Sequence, residues 1–120
     1  MWREYNPNPT GRNVDDCAVR AVSKALNTDW ETAYILICSN GLAMDADSVW
    51  GSVLREKGFY RKVIPNYCPN CYTIRDFCRD NPEGIFVLGT GTHTVCAIDG
   101  DWFDSWNSER EIPIYMWFKK

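Results

Sequence analysis

The chain has 120 residues, enough for one domain around one hydrophobic core, and 45% of them are apolar. A net charge of −3 and the lack of any basic run argue against nucleic acid as the principal partner. No apolar run approaches the ~18 residues that a membrane span needs, so no membrane partner is expected.

The opening stretch M-W-R-E-Y-N-P-N-P has no apolar core and does not read as a secretory signal. A cytoplasmic protein, complete from Met1, is therefore expected, with its six cysteines as free thiols. Residues 1–12 should be extended along the surface, because Pro7 and Pro9 disfavour helix before them.

The first helix is expected to begin near Cys17. Gly11 and Asn13 mark a turn, and Asp15 or Asp16 can cap the helix by accepting a backbone N–H. Cys17, Ala18, Ala21, Val22, Ala25 and Leu26 recur on one helical face, with Arg20, Ser23 and Lys24 on the other. A capping box at Thr28 and Glu31 should open a second helix carrying Trp30, Ala33, Tyr34 and Ile37, with Asn40-Gly41 as its stop. A third should span about Asp47 to Lys57, with Val49, Trp50, Val53 and Leu54 as its stripe and Gly58 at its close.

Phe59–Ile64 reads as a strand, and Asn66–Tyr72 as a loop containing C-P-N-C. Thr73 and Asp76 cap a short helix with Ile74, Phe77 and Cys78. Strands are then expected at Ile85–Gly89, His93–Ile98, Trp102–Trp106 and Ile112–Phe118, as an antiparallel run. This order predicts a single α+β domain over residues 1–120, its helices packed on one side of the sheet.

The chemistry centres on Cys17 and on the chain's single histidine, His93. A thiol in the first turn of a helix feels a partial charge of about +0.5 that favours thiolate, the nucleophilic form. The carboxylates of Asp15 and Asp16 would oppose this, and a core role for Cys17 is the plain alternative. Asp99-Gly100 is a two-residue hairpin signal. With that turn, Ile98 pairs with Asp101, and His93 and Asp104 become diagonal neighbours on one face, close enough for an imidazole–carboxylate bond. A three-residue turn would set Asn107 opposite His93 instead. Asp104 is the first candidate for the group that orients the ring, and Asn107 the second. Trp102 and Trp106 share the face of His93 in the favoured register and could wall a cleft or pack as core.

The segments D-D-C-A-V-R-A-V-S-K-A-L and H-T-V-C-A-I-D-G-D-W-F-D-S-W, in this order, resemble small papain-like cysteine peptidases of bacteria and their phages. They are also similar to bacteriocin-processing peptidases, whose nucleophile helix starts with a D-C-G-type motif and is followed by H-x-V and a later Asp. The resemblance covers roughly Asn13 to Trp106. It implies a papain-like fold and a cysteine hydrolase acting on a peptide or protein substrate without a cofactor. Cys17 would be nucleophile, His93 base and Asp104 orienter.

One feature departs from that pattern. Such enzymes usually carry a Gln shortly before the nucleophile as an oxyanion donor, and this chain has no Gln at all. Asn13 is the nearby side-chain amide that could replace it, and it fits equally as a turn residue. The missing Gln motivates an alternative, a papain-like binding module that no longer turns over. A third reading is an interaction module built on Cys68 and Cys71, either as half of a zinc site or as a redox pair. A loop disulfide or two plain thiols is the simplest role for that pair.

Overall fold

The computed structural model describes residues 1–11, 16–40, 47–65 and 71–119. Four helices and a six-stranded mixed sheet form an α+β domain. In chain order the elements are β1 (Trp2–Glu4), α1 (Cys17–Ala25), α2 (Trp30–Asn40), α3 (Asp47–Glu56), β2 (Phe59–Val63), α4 (Ile74–Asp80), β3 (Ile85–Gly89), β4 (Thr94–Ile98), β5 (Asp101–Asp104) and β6 (Tyr115–Lys119).

The sheet order is β1-β5-β4-β3-β6-β2. β3, β4 and β5 form the expected antiparallel meander. The last strand does not extend it: β6 crosses back to pair with β3, and β2 pairs on its far side. The proline-rich start is not merely a surface segment either. Trp2–Glu4 adds to the sheet as a strand parallel to β5, in register Trp2 with Trp102 and Glu4 with Asp104. The sheet is therefore mixed, not wholly antiparallel.

Strand alternation gives the sheet two apolar faces. Val87, Cys96, Tyr115 and Trp117 pack with α1, α2 and α3 around the fully buried Trp50. Leu88, Val95, Ala97 and Trp102 pack with Ile74, Phe77 and Cys78 of α4. The expectation of helices on one side fails here, because α4 has its own apolar stripe and covers the opposite face.

α1 lies deepest. Ala18, Val19, Ala21 and Val22 are buried, but so are Arg20 and Ser23, which the one-faced reading had put outside. Contact with β4 on one side and with α2 on the other leaves this helix almost no solvent face. The caps are also partly reassigned. Asp16 occupies the cap position of α1 but makes no side-chain cap bond. At α2 it is Asp29, not Thr28, that accepts the N–H of Thr32, at 2.8 Å. At α4 the reciprocal Thr73–Asp76 capping box is present.

The hairpin between β4 and β5 decides the site. Asp99 and Gly100 have φ of 50° and 84°, the positive values that a primed two-residue turn requires. Ile98 thus faces Asp101, and Cys96 faces Phe103, which is the two-residue register.

Candidate active site

Cys17 is the first residue of α1 and is half-buried. The leading N–H groups of a helix, Cys17's among them, have no partner within the helix and form a concentrated donor end. His93 sits just before β4. Thr90 holds it in place: its hydroxyl accepts the His93 N–H at 3.0 Å, and its own N–H donates to the His93 carbonyl at 2.9 Å. Asp104 ends β5 and is only 1% exposed.

These three groups meet. His93 Nε2 and Asp104 Oδ2 are 2.5 Å apart. Cys17 and His93 are close enough to shift each other's ionisation, the thiol downward and the imidazole upward. With Nε2 committed to Asp104, Nδ1 is the ring nitrogen left for the sulfur. The Trp106 ring tilts over the imidazole with centroids 5.0 Å apart, while remaining 42% exposed. It shields one side of the His93–Asp104 bond from water. Trp102 parts company with it, buried on the α4 face and donating to Asn107 Oδ1 at 3.1 Å.

Asn107 is therefore not the group on the imidazole. Its oxygen serves Trp102 and the Glu109 N–H, and its side chain lines a cavity of about 560 Å³ beside α4 together with Trp2, Cys78 and Trp102. Asn13 and Cys68 lie outside the described residues. Cys71 is disulfide-bonded, which corrects the expectation that all six cysteines are free and removes its sulfur from service as a metal ligand. Among the described residues no three His, Cys, Asp or Glu side chains cluster in a way that could hold a metal ion.

The charges around the three groups favour one protonation pattern. Burial opposes ionisation of Cys17. The hydrogen bond and charge of His93, a backbone N–H from Thr94 and the charge of Arg20 outweigh it and hold the thiol below its ordinary range. Burial would likewise disfavour the imidazolium. The bonds to Asp104 and Cys17 reverse this and push His93 up to about 9. Asp104, which burial would raise, is held below the usual carboxylate range by His93, Ser108 and the Ser105 N–H. Both shifts run in the direction of a thiolate–imidazolium pair. The buried thiols behave oppositely: burial pushes Cys78 up to about 11 and Cys96 higher still.

Three participants escaped the sequence reading. Ser108 donates to Asp104 Oδ2 at 2.8 Å, and nothing in its local sequence marks it. Arg20 donates to Asp104 Oδ1 at 3.1 Å through Nη2, and through Nη1 to Asp16 Oδ1. Asp16, with 0% exposure, also accepts from Trp30 Nε1 at 2.8 Å and Asn8 Nδ2 at 3.3 Å. Its charge is thus paired with Arg20 and does not bear unopposed on the thiolate. The D-x-x-x-R spacing from Asp16 to Arg20, an ion-pair distance along a helix, was the available signal.

No protein-family model, no curated protein and no solved structure matches this chain. No helix among the described residues is long and apolar enough to cross a membrane.

Proposed function

We propose that this chain is a papain-like cysteine hydrolase that cleaves a peptide or other amide bond. The observation that carries the reading is the continuous line from Cys17 through His93 to Asp104. It joins a nucleophile, a base and an orienting carboxylate drawn from three separate parts of the fold.

The steps follow from the protonation pattern. The Cys17 thiolate attacks the substrate carbonyl carbon, and a C–S bond forms as the carbonyl π pair moves onto oxygen. The Cys17 N–H at the helix start donates to that oxyanion. Asn13 is the candidate for a second donor. The His93 imidazolium gives its proton to the leaving nitrogen, the C–N bond breaks, and an acyl-thioester remains. Neutral His93 then takes a proton from water, the hydroxide oxygen adds to the thioester carbonyl, and the C–S bond breaks to restore the thiolate. Asp104 keeps Nε2–H donated and Nδ1 directed at the sulfur throughout.

The chain's lack of Gln favours one competing reading, a papain-like scaffold that binds without turnover. Incubation with a mixed peptide library and with a peptide aldehyde separates the two. The hydrolase reading expects cleavage products, and a reversible thiohemiacetal on Cys17 that Cys17→Ala abolishes. Fast alkylation of Cys17 with neither cleavage nor adduct would favour the binding scaffold.

A further inference from the structure

Resting on the hydrolase reading, we propose that Arg20 is a positioning residue: anchored by Asp16, it grips one oxygen of Asp104 and so aims the other at His93. The division of labour on Asp104 is the starting observation. Oδ1 accepts from Arg20 Nη2 at 3.1 Å and from the Ser105 N–H at 2.8 Å. Oδ2 accepts from His93 Nε2 at 2.5 Å and from Ser108 Oγ at 2.8 Å. A carboxylate offers about four lone-pair directions, and all four are used. The group cannot turn about its last bond without breaking two of these contacts.

Arg20 itself is 4% exposed and would be an intolerable lone charge there. Asp16 supplies the counter-charge and sets the plane of the guanidinium, and Trp30 and Asn8 hold Asp16 from its other oxygen. The result is a series of acid and base partners, Asp16, Arg20, Asp104 and His93, with Cys17 beyond the imidazole. Its two ends are consecutive residues, so the series closes on itself through the first turn of α1.

Arg20 stands on the helix that carries the nucleophile, and Asp104 on the strand that carries the orienter. One guanidinium therefore ties the two elements together, and a slip of helix against sheet would have to break it. The planar fork is essential to this role, since a lysine ammonium cannot present two parallel N–H edges to two carboxylates.

The single histidine makes the test direct, because ¹⁵N-histidine labelling reports His93 alone. The charged or titratable groups facing it among the described residues are Cys17 and Arg20 from α1, with Asp16 behind Arg20, and Asp104 from β5. The double variant Asp16→Asn/Arg20→Gln removes one charge of each sign and leaves the net buried charge unchanged. If Arg20 positions Asp104, the ring titration falls from near 9 by about one pH unit or more toward the ordinary imidazole value, as the carboxylate swings away. Titration that stays put, or moves up as simple loss of a nearby cation would cause, overturns the proposal. Arg20→Lys keeps the cation without the fork and serves also if the double variant does not fold. It should shift the ring downward too, and a lysine variant titrating like wild type would show that charge alone suffices. None of these readouts needs turnover. Slow alkylation of wild-type Cys17 would count against the hydrolase reading while leaving the Arg20 result intact.

Discussion

Replacing His93 with alanine should raise Cys17 from its lowered ionisation to that of an ordinary half-buried thiol. In the wild type, burial of the sulfur is outweighed chiefly by the His93 hydrogen bond and charge, with smaller help from the Thr94 N–H and Arg20. The substitution keeps the burial and deletes the two larger favourable contributions, so the thiol returns to about 8.5 or above. At pH 6.5, two units lower, only about 1% of an ordinary thiol is ionised, and the lowered wild-type sulfur is ionised to a larger extent. The alkylation rate of Cys17 by iodoacetamide at pH 6.5 should therefore fall by about tenfold or more in His93→Ala. Peptide mapping by mass spectrometry over a time course gives each cysteine's rate separately, with the half-buried Cys38 on α2 as internal control. A Cys17 rate that changes less than about threefold, or that matches Cys38 in the wild type, would refute the thiolate–imidazolium pair.

The pH dependence of wild-type turnover should be bell-shaped, its alkaline limb near 9 as His93 loses its proton and its acid limb below the ordinary thiol range. The same pair links to stability. His93 is raised above its unfolded value, so its contribution is complete below about 6.5 and is lost as pH climbs through about 9; thermal melts across that window should show the fall. Asp104→Asn, which brings an amide N–H₂ toward Arg20 or His93, should lower kcat by about 10²–10⁴ and bring the alkaline limb down; a kcat within threefold of wild type would remove Asp104 from the mechanism. Gly89→Ala places a Cβ 2.2 Å from the Tyr115 ring and should cost at least about 1–3 kcal/mol in urea denaturation, whereas an unchanged midpoint would mean that Tyr115 does not pack there.

What could be read from the sequence was local. Each helix announced its stripe within a dozen residues, and the Asp99-Gly100 pair named a turn whose backbone geometry permits one register. From that register the nearness of His93 and Asp104 was legible, but alternation does not hold to the end of β5: Trp102 packs on the α4 face while Asp104 reaches Arg20 of α1. What escaped was set by long-range packing. Arg20 looks like a solvent residue until α1 is sandwiched between α2 and the sheet. The strand Trp2–Glu4 hides behind two prolines, since only β5 gives it a partner. β6 crosses to β3 because Tyr115 and Trp117 are needed on the α3 side of the core, against Trp50. Asp29 outcompeted Thr28 as a cap by a single position, within the usual uncertainty of helix ends.

The N-terminal strand has a consequence for how the molecule comes into being. The Asp104 carbonyl accepts from the Tyr5 N–H at 2.8 Å and from Trp2 Nε1 at 3.1 Å, a pairing across 102 positions in the latter case. Arg20 reaches the same residue across 84. Contacts this distant form late, after the cost of closing a very large loop has been met. During synthesis the helix bearing the sulfur emerges before His93, the main group that lowers it. A nascent chain that stops short of His93 thus carries Cys17 without the imidazole that lowers it.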